Sequence, residues 1–217
     1  MSNNYQTLFP QFALAVNNNK DIINPEILQV VMGLARKKNV ANMLSVDEYV
    51  LDNVPELREW NDWIHGCLDD YYRTVLGIPP HLNCIITQSW FTYTTIDQHM
   101  HQHKHPNSIV SGVFYPQANP DEDHLKFEKT DVWKQLNWNI PENQINEYNA
   151  TTFTQPVQSG DLLLFNSSVE HWFDTVRRPD TRVSLAFNSY VVGDLYAGVD
   201  TLQHLNLEIK KIQKTFN

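Results

Sequence analysis

Apolar residues recur at helical spacing in the first third of the chain. The dipeptide Asn24–Pro25 is a helix start, because asparagine caps the first turn and proline is tolerated at the first helical position. Apolar residues three and four apart then predict a helix over about 25–37. A similar start at Asn53 and Pro55 predicts a second helix that ends near Gly77. The apolar faces of both helices are expected to pack on a sheet.

Beyond residue 80 the pattern becomes that of β-strands. Segments rich in β-branched and aromatic residues are separated by turn residues, with no helical segments between them. The predicted strands cover 83–95, the segment that ends at Pro116, the sequence HLKFE, the segment through Phe165, a return strand with His171 and the segment that begins at Thr181. This order favours an antiparallel sandwich or barrel, and hence a mainly β fold with N-terminal helices.

The length of 217 residues suits one domain with one sizeable core. We expect residues 1–80 to form helices that support the sheet and residues 81–199 to form the β-rich body. Residues 200–217 would form a C-terminal tail whose sequence indicates no particular function. A short edge strand is expected within the N-terminal segment LFPQFALAV.

The stretch 117–150 is expected to be a long excursion from the β-rich body, which contains the HLKFE strand, Trp133 and Trp138. Long loops on a rigid scaffold often determine substrate specificity. The acidic cluster Asp121–Asp123 in this stretch is expected to be a solvated turn.

The composition disfavours several classes of protein. A formal charge of −9 argues against a protein that tracks nucleic-acid phosphates, since that binding depends on lysine and arginine. The two cysteines, Cys67 and Cys84, have no CxxC spacing and give no support to a disulfide framework or a thiolate metal site. Because the sequence has neither a run of 18 apolar residues nor a signal-peptide pattern, we expect no membrane span and a cytoplasmic location.

Four of the nine histidines, His99, His101, His103 and His105, stand at every second position. Residues two apart share one face of an extended strand. Neighbours in this row have Cα atoms roughly 6.5–7 Å apart, so two rings can converge on one ion, whereas members four apart cannot without a bend. The row therefore predicts that two of the four histidines, neighbours in the row, bind one metal ion. A solvated loop that binds metal adventitiously is the alternative.

A third imidazole is available from a distant strand. His171 follows a turn and a strand that begin at Gly160 and Asp161. Ligands from two strands can meet at the mouth of a small β-barrel. Three protein ligands leave coordination positions open, which suits a metal that must bind substrate or oxygen.

Arg182 lies eleven residues after His171, on a strand where alternate residues face opposite sides. Val183, Leu185 and Phe187 would share the face toward the helices; Arg182, Ser184, Ala186 and Asn188 would share the face toward the barrel interior. A buried guanidinium needs an anion. A ligand carboxylate held by Arg182 with help from Ser184 satisfies it, and a structural ion pair is the alternative.

The segments HKHPNSIVSGVFYP, GDLLLFNSSVEHW and RVSLAFNSY, in this order, resemble the 2-oxoglutarate and Fe(II)-dependent oxygenases. The resemblance is to the oxygenase family of marine bacteria and cyanophages with an HxHP…SGVYY pattern, and it extends to the N-terminal LFP and to SVDEYVLD. It implies a double-stranded β-helix, or jelly roll, with iron between its two sheets. A phage-encoded member would act in the host cytoplasm.

The resemblance also implies residue roles. His103, His105 and His171 would bind Fe(II), while Arg182, Ser184 and Tyr93 would contact the far carboxylate of 2-oxoglutarate. With oxygen, such an enzyme hydroxylates a primary substrate, which the sequence does not identify, and releases succinate and CO2.

One departure from the family pattern concerns the iron ligands. The usual motif is HxD or HxE, whereas His103 is followed by His105. Three neutral imidazoles leave the metal centre one unit more positive and make Zn(II) harder to exclude. Alternatively, His105 is not a ligand and water or halide takes its place, or the pair is His101 and His103. We favour His103 and His105, because Pro106 ends the strand there and places this pair at the rim of the barrel.

Two rival functions fit part of the pattern. A cupin also pairs histidines on one strand with a later histidine after a Gly-Asp turn, but it needs neither Arg182 nor 2-oxoglutarate. A non-catalytic metal-binding or structural protein is the second rival.

Overall fold

The structure is a computed structural model that describes residues 12–129, 140–198 and 204–210. The helices are α1 (Pro25–Gly33), α2 (Val50–Asn53) and α3 (Arg58–Thr74), with 3₁₀ turns at Pro55–Leu57 and Glu142–Gln144. The strands are β1 (Leu14–Asn18), β2 (Arg36–Lys38), β3 (Met43–Ser45), β4 (Asn83–Thr94), β5 (Met100–His103), β6 (Val110–Gln117), β7 (His124–Glu128), β8 (Thr152–Pro156), β9 (Asp161–Asn166), β10 (Glu170–Phe173), β11 (Arg182–Asp194) and β12 (Asn206–Leu207).

The strands form two antiparallel sheets. The larger sheet has the order β1-β9-β6-β11-β4-β3-β2, with β12 paired to β11, and the smaller sheet has the order β5-β10-β7-β8. One apolar cluster, which includes Tyr115, Phe127 and Phe173, fills the space between the sheets. A second cluster packs the helices on the outer face of the larger sheet. The predicted mainly β fold with N-terminal helical support is confirmed.

The larger sheet is buried on both faces, and the alternation along its strands separates the two cores. In β9, Leu162 and Leu164 belong to the helix-side core, while Leu163 and Phe165 belong to the core between the sheets. A strand buried on both faces reads as a continuous apolar run, which is the pattern of DLLLF at this position. The central strands are thereby fixed in register by packing on both sides.

The two faces of β11 divide as the sequence predicts. Val183, Leu185 and Phe187 lie in the core that contains residues of α3. The guanidinium of Arg182 instead lies over the ring of Phe173, in the core between the sheets.

Several boundaries differ from the predicted ones. Helix α1 ends at Gly33 rather than near residue 37, because Leu34 is extended and Arg36–Lys38 pairs with β3. The second predicted helix is divided into α2, the turn at Pro55–Leu57 and α3. Trp133 and Trp138 lie outside the described residues. Within the part of the chain that the structure describes, no helix is long and apolar enough to cross a membrane.

We expect Gly112→Ala to destabilise the protein. Gly112 lies opposite Phe187 in the β6–β11 ladder, and a Cβ atom there would meet Phe187 Cζ at 2.1 Å. Such overpacking typically costs about 1–3 kcal/mol. Urea unfolding followed by circular dichroism measures the change.

Gly66→Ala is the matched control for Gly112→Ala. Gly66 lies inside α3, and a Cβ atom there meets nothing within 4 Å. Because alanine is the better helix former, this variant is expected to gain up to about 0.5–1 kcal/mol. Equal stability of the two variants would contradict the close packing of Phe187 on Gly112.

Candidate metal and cosubstrate site

Two neighbouring strands of the smaller sheet bring two histidines together. His103 ends β5 and lies directly opposite His171 of β10 in the antiparallel register. His105 lies two residues beyond the end of β5, where its backbone N–H donates to the carbonyl of Ser167 at 2.9 Å. The Ser167 hydroxyl is hydrogen-bonded in turn to those of Ser108 and Ser111, both at 2.8 Å. The segment after β5 is thus tied to the turn that precedes β10.

The three imidazoles form one compact cluster. Each of His103, His105 and His171 offers one nitrogen, and these nitrogens all lie within 4.8 Å of one another. Nε2 of His105 is 3.2 Å from Nε2 of His171. Two nitrogens bound to one ion at about 2.0–2.1 Å lie roughly 2.9–3.4 Å apart, so this pair already has the separation of two ligands of a shared metal.

Backbone carbonyls fix the ring tautomers of two of these histidines. Nδ1 of His103 lies 2.8 Å from the carbonyl oxygen of His101, and Nδ1 of His171 lies 3.0 Å from that of Val169. A carbonyl oxygen only accepts, so Nδ1 carries the proton and donates it, which leaves Nε2 with a free lone pair. Metal-binding histidines usually donate their second ring N–H in this way.

Burial keeps the three imidazoles neutral. Desolvation, helped by the neighbouring rings, lowers the pKa of His171 to about 3 and that of His105 to about 4, and it also lowers the pKa of His103. Neutral imidazole is the form that binds a metal. The donor set of three such nitrogens therefore fits a divalent transition-metal ion at neutral pH.

The remaining members of the histidine row lie outside this cluster. His99 and His101 are exposed, although the His101 ring centroid is 5.2 Å from that of His103. Of the two pairs that the sequence left open, the structure brings His103 and His105 together with His171.

Arg182 is deeply buried next to the cluster. It is 3% exposed, and its Cζ lies 3.9 Å from the centroid of Phe173, two residues after His171 on β10. Ser184, also buried, follows on the same face of β11. The inward orientation of Arg182 therefore places its charge between the sheets, over the ring of a residue that lies two positions after His171 on β10.

Arg182 has a structural partner that the sequence did not reveal. Its Nη1 donates to Oδ1 of Asp123 at 3.1 Å, and Nη2 of Arg178 donates to Oδ2 of the same carboxylate at 2.5 Å. Asp123 is 1% exposed, so the expectation of a solvated turn is wrong at this residue. The reason is that two guanidiniums stabilise the buried carboxylate. Two cations and one anion leave this cluster, Arg178–Asp123–Arg182, with a net charge of +1.

Tyr93 lies on the other side of the sheet. It pairs with Val183 in the β4–β11 ladder and therefore shares the helix-facing side. Its hydroxyl donates to the carbonyl of Val31 at 2.7 Å, and Arg36 Cζ lies 3.8 Å from its ring centroid. The contact with the cosubstrate expected of Tyr93 is therefore wrong, because strand alternation turns this residue away from Arg182.

Two buried hydroxyls that the sequence did not single out lie on the inner side. Thr94 pairs with Arg182 in the β4–β11 ladder, and the nearby charge of Arg182 acts on the phenol of Tyr115. Burial raises the pKa of Tyr115, so its hydroxyl keeps its proton. Neither Oγ1 of Thr94 nor the Tyr115 hydroxyl has a hydrogen-bond partner among the described residues. Such buried polar atoms call for a ligand or water.

The inner face of the sheet becomes more accessible away from Arg182. Thr94 and Arg182 are buried, whereas the cross-strand pairs Trp90 with Ala186 and Gln88 with Asn188 are partly exposed. The Trp90 ring centroid lies 5.9 Å from that of His105. The open end of the site is thus beside the histidine cluster, and the guanidinium lies at its inner end.

Two antiparallel sheets enclose a group of three histidines that could hold a metal ion and a buried arginine, which is an arrangement that suits a metal-dependent enzyme. Residues 88–188 match the family model described as "Putative 2OG-Fe(II) oxygenase". Over these residues the chain is similar to the 2OG-Fe(II) oxygenase family. A search of curated proteins found no match.

Solved structures of low sequence identity share the fold. HygX from Streptomyces hygroscopicus, with nickel and 2-oxoglutarate bound, is 12% identical with a TM-score of 0.55, covering 81% of this chain and 82% of its own. A Pseudomonas putida prolyl-4-hydroxylase is 13% identical with a TM-score of 0.52, covering 82% and 93%. The epimerase SnoN from nogalamycin biosynthesis is 10% identical with a TM-score of 0.57, covering 92% and 91%. The jelly-roll fold expected from the sequence is confirmed.

The low pKa values of His105 and His171 predict how the stability of the metal-free protein depends on pH. Unfolded histidines titrate near 6.5, so between about pH 3 and 6.5 the unfolded chain binds more protons than the folded one. The free energy of unfolding is therefore expected to fall as the pH falls through this range. Urea unfolding with a chelator present, at pH 7, 6, 5 and 4, measures it.

His171→Asn is the variant that isolates this effect, and exposed His99→Asn is its control. The first should lose part of the pH dependence that the second retains. Identical pH dependence in His171→Asn and the unmodified protein would show that His171 is not neutral through burial.

Proposed function

We propose that this protein is a 2-oxoglutarate-dependent non-haem Fe(II) dioxygenase that hydroxylates an unidentified primary substrate and releases succinate and CO2. The observation that carries the proposal is the joint placement of two features between the sheets. A cluster of three neutral imidazoles lies beside a buried guanidinium group with net positive charge. The family match of residues 88–188 supports the same function.

His103, His105 and His171 would hold the metal ion. Their Nε2 lone pairs converge, and at His103 and His171 the second ring nitrogen is held by a backbone carbonyl. When bound, iron supplies the activation of oxygen that the hydroxylation of a C–H bond requires. Three protein ligands leave positions for the cosubstrate and oxygen.

Arg182 would bind the far carboxylate of 2-oxoglutarate. The Arg178–Asp123–Arg182 cluster carries an uncompensated positive charge, and a carboxylate is the anion that a guanidinium binds best. Thr94 and Tyr115 supply hydroxyl groups that have no hydrogen-bond partner among the described residues. Ser184 is buried on the same face of β11 as Arg182. We assign Thr94 and Tyr115 the role that the sequence suggested for Tyr93.

The geometry suits a short dicarboxylate. The guanidinium lies over the ring of Phe173, whose Cα is one strand repeat, roughly 6.5–7 Å, from that of His171. The Phe173 ring covers the guanidinium and excludes water from that end of the site. The primary substrate would enter at the accessible end, beside Trp90 and Asn188.

The buried cationic cluster argues against the rival functions. A cupin needs no cation between its sheets, and a purely structural metal site would need a fourth protein ligand. Among the described residues, the group that could hold a metal contains only the three histidines. Anaerobic titration of the Fe(II)-loaded protein with 2-oxoglutarate distinguishes these functions, since a metal-to-ligand charge-transfer band is expected only for the oxygenase.

His171→Ala is expected to abolish metal-dependent succinate formation. Its imidazole would contribute one of three ligand nitrogens, contacts the rings of both His103 and His105, and is buried. Succinate produced from 2-oxoglutarate by Fe(II)-loaded protein in air measures the effect. His101→Ala, next to the cluster but exposed, is the control and should retain turnover. A folded His171→Ala protein that forms succinate at the normal rate would contradict the metal site.

Arg182→Ala is expected to weaken the binding of 2-oxoglutarate. Loss of one charge-assisted contact set costs about 1.5–3 kcal/mol, or about 10- to 150-fold in affinity. Calorimetric titration of the metal-loaded protein without oxygen measures the dissociation constant. Metal content should be unchanged, and undiminished 2-oxoglutarate affinity in this variant would assign the cosubstrate to another site.

A further inference from the structure

Asp123 is a potential competitor for Arg182. Its carboxylate is buried beside the guanidinium that the proposed function assigns to the cosubstrate, and Nη1 of Arg182 already donates to it. If Asp123 took both arms of that guanidinium, the pair would be neutral and would offer nothing to a second carboxylate. The position of Asp123 therefore affects how well Arg182 can bind an anion.

The observed contacts hold Asp123 toward Arg178. Oδ2 of Asp123 accepts from Nη2 of Arg178 at 2.5 Å and from the backbone N–H of Asn119 at 2.9 Å. Its contact with Arg182 is a single bond from Oδ1 at 3.1 Å. Only Nη1 of the Arg182 guanidinium is hydrogen-bonded within the described part of the chain. The carboxylate thus has its stronger attachments on the side away from Arg182.

The charges lead to the same conclusion. All three side chains are buried, with exposed fractions of 8% for Arg178, 1% for Asp123 and 3% for Arg182. With Arg178 present, the cluster has a net charge of +1; without it, Asp123 and Arg182 form a neutral pair. Screening is weak at buried sites, so this one unit of charge strongly affects the binding of an anion.

We propose that Arg178 is a positioning residue that limits Asp123 to a single hydrogen bond with Arg182 and thereby keeps the rest of the Arg182 guanidinium available for the distal carboxylate of the cosubstrate. This inference rests on the proposed function. Arg178 does not itself contact the ligand. It sets the affinity for keto acids that carry a second carboxylate and leaves those without one unaffected.

Equilibrium binding to the Fe(II)-loaded protein, without oxygen, tests the proposal. The probes are 2-oxoglutarate and pyruvate, which share the keto-acid end but differ in the distal carboxylate. Arg178→Gln should raise the dissociation constant of 2-oxoglutarate by about 10- to 150-fold, the effect of one charge-assisted contact set. Its dissociation constant for pyruvate should stay at the wild-type value.

A double variant separates positioning from a merely structural role. In Asp123→Asn/Arg178→Gln the competing carboxylate is gone, so 2-oxoglutarate affinity should return to near the wild-type value. Arg178→Lys retains the charge and should lose less affinity than Arg178→Gln. Arg177→Gln changes the adjacent exposed arginine, which pairs with Asp97, and should have no effect.

Three results would overturn the proposal. These are undiminished 2-oxoglutarate affinity in Arg178→Gln, an equal loss for pyruvate, or a double variant that binds no better than Arg178→Gln. Should Arg178→Gln not fold, the single variant Asp123→Asn tests the proposal instead. It should bind 2-oxoglutarate at least as well as the wild type, and weaker binding would overturn the proposal. A wild-type protein that binds 2-oxoglutarate no better with metal than without it would instead contradict the proposed function.

Discussion

The cross-strand pairing of His103 with His171 is the contact on which the site depends. Strand β10 is held between β5 and β7, and its register turns His171 and Phe173 inward while Glu170 and Trp172 face outward. A slip of one residue would exchange the two faces and remove both the imidazole and the ring that covers Arg182. The doubly buried larger sheet resists such a slip, because its two cores fix the surface on which β10 packs.

Periodicity was sufficient to predict most of the scaffold and the row of histidines from which the structure brings His103 and His105 together. The change from helical to strand spacing after Pro80 agrees with the start of β4 at Asn83, and the turn signals locate most of the later strands, although β8 (Thr152–Pro156) was not predicted. Alternation along β11 also predicts correctly that Arg182 faces inward. These features depend on local sequence, since the period of two assigns each residue in a strand to one face.

The partners of Arg182 could not be predicted in the same way. Tyr93 and Thr94 are adjacent, so choosing the inward residue requires the register of β4 on β11, which the spacing to His103 does not give. Asp123 looked like part of a solvated turn because its neighbours are acidic. Its burial depends on two arginines more than 50 residues away in sequence. Long-range ion pairs of this kind leave no periodic signal in a single sequence.

Strand β5 is both short and at the edge of the smaller sheet, with β10 as its neighbour on one side. An edge strand of four residues has few hydrogen bonds to hold it and opens more readily than a central strand. An ion shared by His103 and His171 would join this edge to the next strand as a cross-link. The affinity for the metal and the stability of β5 in the sheet would then be coupled, because an ion that binds only the folded arrangement stabilises that arrangement. Loss of the ion would loosen the strand that ends at His103 and leads into His105.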